Sequence, residues 1–251
     1  MMDSTRKISL LAGVFFIITF VASIPAAFYF YTPVLNHADY VLGAGADSRV
    51  AWGALFEVIL VIANIATAVV LFPVLKRQNE SVSLGFVAAR IIESTFIAVG
   101  IIAVLAVVTL RQDVAGVAGA GAVSVALGKT LVAVHDWTFL LGPGFIVGLG
   151  NGLLLGYLMY RSGLVPRGMA LLGLIGGPLL MASAIPVLFG IYDAGSAAQV
   201  IATIPEFLWE ASLGIYLTVW GFRAPALRKL GFEPVVPAST TAAKRELRPA
   251  A

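Results

Sequence analysis

Residues 50–75 read VAWGALFEVILVIANIATAVVLFPVL, bounded by Arg49 on one side and by Lys76 and Arg77 on the other. Only Glu57 in this run is ionisable. The hydrocarbon core of a bilayer is about 30 Å thick, so a spanning helix needs roughly 20 apolar residues. Lipid offers the backbone no hydrogen-bond partners, which makes a helix the required conformation for such a segment. Five further stretches share its character: residues 8–31, 83–110, 131–160, 168–192 and 200–222. None shows the alternating short strands of a membrane barrel. The pattern predicts an all-α, polytopic transmembrane bundle of six helices.

Composition points the same way. Of 251 residues, 60% are hydrophobic and 12% charged, with a mean hydropathy of +0.98. Soluble domains carry roughly a quarter charged residues, and one soluble core of this length could not hide so much apolar surface. The chain has no cysteine, which excludes disulfides, thiolate nucleophiles, iron–sulfur clusters and Cys-rich zinc sites. The run at 8–31 follows Arg6 and Lys7 but exceeds the roughly 7–15 residues of a signal-peptide core. It is expected to remain as the first span.

Residues 1–231 are expected to form the transmembrane domain. The tail at 232–251, rich in Pro, Ala, Thr and charge, is expected to be disordered and cytoplasmic. Two connections are long. Residues 32–49 hold Asn36, His37, Asp39 and Asp47; residues 111–129 are rich in Ala, Gly and Val and are expected to form a short helix on the membrane surface.

Orientation follows from Lys and Arg. Arg6, Lys7, Lys76, Arg77, Arg161, Arg167, Arg223, Arg228, Lys229, Lys244, Arg245 and Arg248 flank one set of span ends, 12 of the 16 basic residues. The other set has Arg49, Arg111 and Lys129, while Arg90 lies within a span. The positive-inside rule places both termini in the cytoplasm of a cell-membrane protein with an even number of spans, as in a bacterial inner membrane.

The first and fifth spans resemble each other: Arg6 aligns with Arg167, Ile24-Pro25 with Ile185-Pro186, and Tyr31 with Tyr192. The second and sixth align through Glu57 with Glu210 and Lys76 with Lys229. A parallel duplication of a helical hairpin would give this pattern; chance similarity between Leu-rich helices would also give it. If duplicated, Glu57 and Glu210 share one depth about a pseudo-two-fold axis.

Ionisable groups within spans are costly, about 2.5–3.5 kcal/mol each on insertion scales, and usually face a cavity or a partner. Here they are Glu57, Arg90, Glu93, Glu206 and Glu210, with His135 and Asp136 near the outer end of the fourth span. Arg90 and Glu93 are three apart and Glu206 and Glu210 four apart, so each pair shares a helix face. Four embedded acids against one Arg leave surplus negative charge, untenable in a dry interior without protons, a cation or water. This suggests a proton or cation pathway, or a pocket for a polar or cationic ligand. An Arg–Glu pair with protonated acids holding helices together is the structural alternative. His135, Asp136 and Trp137 either mark the outer headgroup boundary or form the mouth of an acidic cavity. His135 with Glu57 and Glu210 is the one conceivable divalent-cation set, but no metal site is expected, nor any cofactor.

Gly144, Gly148, Gly152 and Gly156 recur every fourth residue and predict a seam for close helix packing. Pro143, between Gly142 and Gly144, is expected to kink the fourth span. Residues 123–130, VSVALGKT, end like a phosphate-binding loop but lack its first glycine and the preceding strand.

Several segments carry a family resemblance: Asp39-Tyr40-Val41-Leu42-Gly43, Leu55-Phe56-Glu57-Val58-Ile59, Phe72-Pro73-Val74-Leu75-Lys76-Arg77, Arg90-Ile91-Ile92-Glu93, His135-Asp136-Trp137-Thr138-Phe139 and Leu158-Met159-Tyr160-Arg161-Ser162-Gly163. With them the chain, apart from its tail, resembles the bacterial membrane proteins of Domain of Unknown Function 4386. The resemblance implies a multi-pass membrane protein and brings no activity or catalytic residues.

The leading expectation is a transporter-like or small-ligand-binding protein using the acidic cluster. The rivals are a membrane-embedded hydrolase of lipid-like substrates using His135 and acids, and a helper protein that binds another membrane helix. Expected partners are the bilayer, a small polar or cationic ligand or protons, and a second copy of the chain, while the glycine seam would serve the helper reading. Nucleic acid is not expected.

Overall fold

The computed structural model describes residues 4–37, 39–43, 45–117 and 121–232. The tail expected at 232–251 lies, past Phe232, outside the described residues, with three of the twelve basic residues. Among the described residues there is no strand, and six helical segments are long and apolar enough to cross a membrane. The chain is a multi-pass membrane protein.

The first span is α1 (Ser4–Pro25), extended by a π-helical turn, Ala26–Phe30. A short α2 (Thr32–Leu35) and a 3-10 turn, Tyr40–Leu42, lead to α3 (Asp47–Leu75). Next comes α4 (Glu80–Val114), whose N-cap Asn79 accepts the Val82 amide. The fourth span is one run, Gly121–Ser162: α5 (Gly121–Phe139), two π-helical segments (Leu140–Ile146 and Gly148–Leu155) and α6 (Gly156–Ser162). Gly163 ends α6 in the left-handed conformation that glycine adopts most freely. The last two spans are α7 (Arg167–Leu188) and α8 (Ala197–Val219), followed by a short α9 (Ala224–Lys229).

The described residues of this stretch, 111–117 and 121–129, do not form a separate surface helix. Within them α4 continues to Val114, and α5 begins at Gly121 and runs on as part of the fourth span. Packing explains the continuity: α5 lies along α4, and Gly128 lets Val41 approach where a Cβ would sit 2.6 Å from its methyl group.

Each span packs against the next, and α8 returns to α1, closing a ring. Large apolar side chains face outward around it, Ile62, Ile102 and Ile201 among them, as a lipid-facing surface requires. Inside, one apolar cluster near the basic end gathers Leu71, Phe86, Leu155, Met159, Trp209 and Leu217. Another near the opposite end gathers Tyr31, Val41, Val50 and Val104.

Both ends are tied by arginines. Arg6 donates to the carbonyls of Leu217 (2.9 Å), Thr218 (2.7 Å) and Val219 (3.1 Å). These are orphan carbonyls at the negative end of the α8 dipole, where a cation is favoured. Arg49 does the same for Tyr29 at the end of the first span. At that end Arg111 also pairs with Asp47, which accepts the Tyr40 hydroxyl at 2.7 Å. Burial, helped by the Asp47 carboxylate, holds the Tyr40 phenol well above its ordinary range.

The glycine seam lies on α7. A Cβ on Gly148 would sit 2.6 Å from the Gly177 carbonyl oxygen, and one on Gly177 2.8 Å from the Gly152 Cα. Gly156 faces Leu174 at 3.2 Å. Gly144 is looser, its nearest neighbours at 3.6 Å or more. Pro143 sits inside the first π-helical segment, where its missing N–H is accommodated by a wider turn.

Candidate functional site

Two polar groups occupy the bundle interior. The larger is centred on Arg90, 2% exposed, on α4. One turn on, Glu93 accepts from Arg90 Nη1 at 2.7 Å. Asn64 of α3 completes the set: its Nδ2 donates to Glu93 Oε1 at 2.9 Å, and its Oδ1 accepts from Arg90 Nη2. The guanidinium therefore bridges a carboxylate and an amide, and each Glu93 oxygen has a donor.

Across the ring, α8 and the second π-helical segment bring three more polar groups. Asn151 is fully buried and donates through Nδ2 to Glu210 Oε1. Its backbone carbonyl accepts the Trp209 indole N–H at 2.9 Å, an acceptor that the irregular turn leaves available. Glu206, one turn before Glu210, is 2% exposed, and neither carboxylate oxygen has a hydrogen-bond partner. Asn151 Oδ1 is also buried and unpartnered. Glycine makes this possible, since a Cβ on Gly152 would sit 2.9 Å from Glu206 Oε2. Glu93, Glu206, Glu210 and Arg90 all lie within electrostatic reach of one another.

The charge balance is lopsided. Arg90 is committed to Glu93, so Glu206 and Glu210 have no cation of their own. Buried polar groups are nearly always hydrogen-bonded, and an orphan costs about 1–3 kcal/mol, more if charged. The Glu206 carboxylate and the Asn151 amide oxygen without donors, beside a Glu210 carboxylate whose donor is Asn151, leave this region short of positive charge and of hydrogen-bond donors.

The second group lies toward the opposite end. Tyr31 donates to Glu57 Oε2 at 2.9 Å, and its ring meets the His135 imidazole edge to face at 5.8 Å. His135, 7% exposed, lies 3.3 Å through Nδ1 from Asp136 Oδ1, which projects outward. Asp136 also lines a cleft of about 230 Å³ with Asn36, His37, Tyr40 and Lys129.

The candidate residues thus fall into two sets: Arg90, Glu93, Glu206 and Glu210 in one, Glu57, His135 and Asp136 in the other. Glu57 and Glu210, aligned in the sequence comparison, have different partners, Tyr31 and Asn151. Tyr192, aligned with Tyr31, donates instead to the Ser183 carbonyl at 2.6 Å. Asn64, seven residues from Glu57 on the same helix face, and Asn151 are site residues outside the set of ionisable candidates. Their signal was present, because an amide within a span needs a partner as an acid does. Among the described residues no group of three or more His, Asp or Glu side chains is arranged to hold a metal ion.

No curated protein and no solved structure matches the chain. A family model described as a domain of unknown function matches residues 11–221, from within α1 to just past α8, and the chain belongs to that family, DUF4386.

Proposed function

We propose that this membrane protein is a transporter-like or ligand-binding protein whose interior site accepts a small positively charged species, a proton or a cation. The observation that carries the reading is Glu206: a carboxylate 2% exposed, with both oxygens unpartnered, beside a second carboxylate and an unpartnered amide oxygen. A purely structural acid would have donors, as Glu93 has. A bound proton or cation supplies what Glu206 lacks. The Arg90–Glu93–Asn64 set, an ion pair closed by an amide, forms the fixed, internally satisfied wall opposite. Both termini face the cytoplasm of a cell membrane in this reading, supported by the concentration of Lys and Arg at one end of the bundle.

The test is uptake by the full chain reconstituted in liposomes, followed with radioactive sodium and with an internal pH dye under an imposed gradient. Wild type should take up sodium or protons. Glu206→Gln with Glu210→Gln should lose the uptake while expressing and unfolding like wild type. If neither ion is taken up, or the double variant only loses thermal stability, the glutamates are structural.

A further inference from the structure

Glu57 is a buried acid that the acidic cluster does not use. It is 7% exposed. Tyr31 donates to its Oε2 at 2.9 Å, and Oε1 has no hydrogen bond among the described residues. The Tyr31 ring is packed onto α3, where a Cβ on Gly53 would sit 2.6 Å from it.

Between this acid and the water at the end opposite the basic residues stands His135. Its ring is held by Tyr31 edge to face at 5.8 Å and by Phe139 in a stack at 6.4 Å. From α4, a Cβ on Gly100 would sit 3.4 Å from its Cδ2. Nδ1 lies 3.3 Å from Oδ1 of Asp136, whose side chain is 63% exposed. Asp136 lines the 230 Å³ cleft with His37, Tyr40 and Lys129. With Nδ1 turned to Asp136, Nε2 is turned away from it and has no hydrogen bond among the described residues. Glu57 lies within electrostatic reach of His135. The titratable groups facing His135 are therefore Tyr31 of the first span, Glu57 of α3 and Asp136 of its own helix, while α4 presents Gly100.

On the inward side the polar groups stop. Leu60 lies between Glu57 and Asn64 along α3, and Ile97 between Gly100 and Glu93 along α4. Both belong to one buried apolar cluster with Ile101. A charge crossing that layer would lose its hydration without a partner.

We propose that Glu57 is a second proton site, loaded from the water at the end opposite the basic residues through Asp136 and His135, and closed toward the acidic cluster by the Leu60–Ile97 layer. It does not depend on the cation-accepting reading of Glu206. Imidazole is the side chain that ordinarily exchanges a proton near neutral pH, and its two nitrogens let it take one on one side and release one on the other. A proton reaching Asp136 from water passes to Nδ1 and leaves an imidazolium. The Nε2 proton then moves to the Glu57 carboxylate, which becomes a neutral acid accepting from Tyr31. The imidazole is left neutral, with its proton on Nδ1.

The test is time-resolved infrared spectroscopy of the full chain in lipid membranes after a light-triggered release of protons. A carboxylic C=O band should appear in wild type and be missing in Glu57→Gln. His135→Phe, which keeps a ring between Tyr31 and Phe139, should slow the band by at least about tenfold. His135→Ala should be equally slow and regain speed when free imidazole is added, which a purely structural histidine would not do. Asp136→Asn should slow loading as well. Glu206→Gln with Glu210→Gln should leave the band unchanged. No Glu57-dependent band, or one as fast in His135→Phe as in wild type, would overturn the proposal. A band lost in the Glu206 and Glu210 double variant would also overturn it, because the two sites would then be one. Sodium or proton uptake that fails in liposomes while the Glu57 band persists would remove the reading of Glu206 alone.

Discussion

Replacing Arg90 by Met keeps the length and apolar stem of the side chain and removes its charge. Glu93 is then a carboxylate in a site where the two side chains are 3% and 5% exposed, supported only by Asn64. Unit charges about 4 Å apart at an effective dielectric of about 20 attract by about 4 kcal/mol. Breaking one partner out of a buried pair costs about 3–5 kcal/mol, because the other charge is stranded. Arg90→Met is therefore expected to lose about 3–5 kcal/mol. Adding Glu93→Gln should recover most of that, since the stranded charge is gone and the amide can still bond Asn64. Glu93→Gln alone should cost less than Arg90→Met, because Arg90 keeps Glu206 and Glu210 within reach. The assay is reversible unfolding in mixed micelles at rising dodecyl sulfate, followed by tryptophan fluorescence. If Arg90→Met and the double variant are equally destabilised, Arg90 acts through packing and its bond to Asn64. The charge balance would then have no energetic weight, and the case for a cation at Glu206 would lose its foundation.

Two further outcomes are expected. Gly173→Ala places a Cβ 2.7 Å from the Trp209 Nε1 of a fully buried indole, and should cost about 1–3 kcal/mol by overpacking. Gly168→Ala in the same helix meets nothing within 4 Å and should be neutral or slightly stabilising in the same unfolding assay; equal losses would show that the α7–α8 contact at Trp209 is not tight. Tyr31→Phe strips Glu57 of its hydroxyl donor and should cost about 1.5–3 kcal/mol, the worth of a hydrogen bond to a charged group. A loss below ~0.5 kcal/mol would mean that Glu57 finds another donor or is uncharged.

The spans were legible because lipid imposes one rule on every residue of a crossing helix. Their ends were less so. At 111–129 α4 runs past Arg111 and Asp113 to Val114, and α5, packed along α4 with Val41 against Gly128, begins at Gly121. The composition of that stretch could not reveal those contacts. Arg90–Glu93 was readable from spacing, since three residues bring two side chains onto one face. Glu57 and Glu210 were paired by alignment, but alignment is blind to the neighbouring element: Tyr31 comes from the end of the first span and Asn151 from the fourth. Asn151 was hidden among glycines, where the period-four seam drew attention to packing. Its role depends on a widened turn that no residue pattern announces.

The spans are unequal in height. At about 1.5 Å per residue, α4 with 35 residues is about 52 Å long and α7 with 22 about 33 Å. Both start at the basic end of the bundle, so the two flanks cannot both match a hydrocarbon layer about 30 Å thick. Lipids beside α7 meet a wall of nearly their own height, whereas those beside α4 meet one that overtops them. The surrounding leaflet must pucker or the bundle must lean, at fractions of a kcal/mol per Å of misfit. A thinner or thicker bilayer shifts the balance between puckering and leaning.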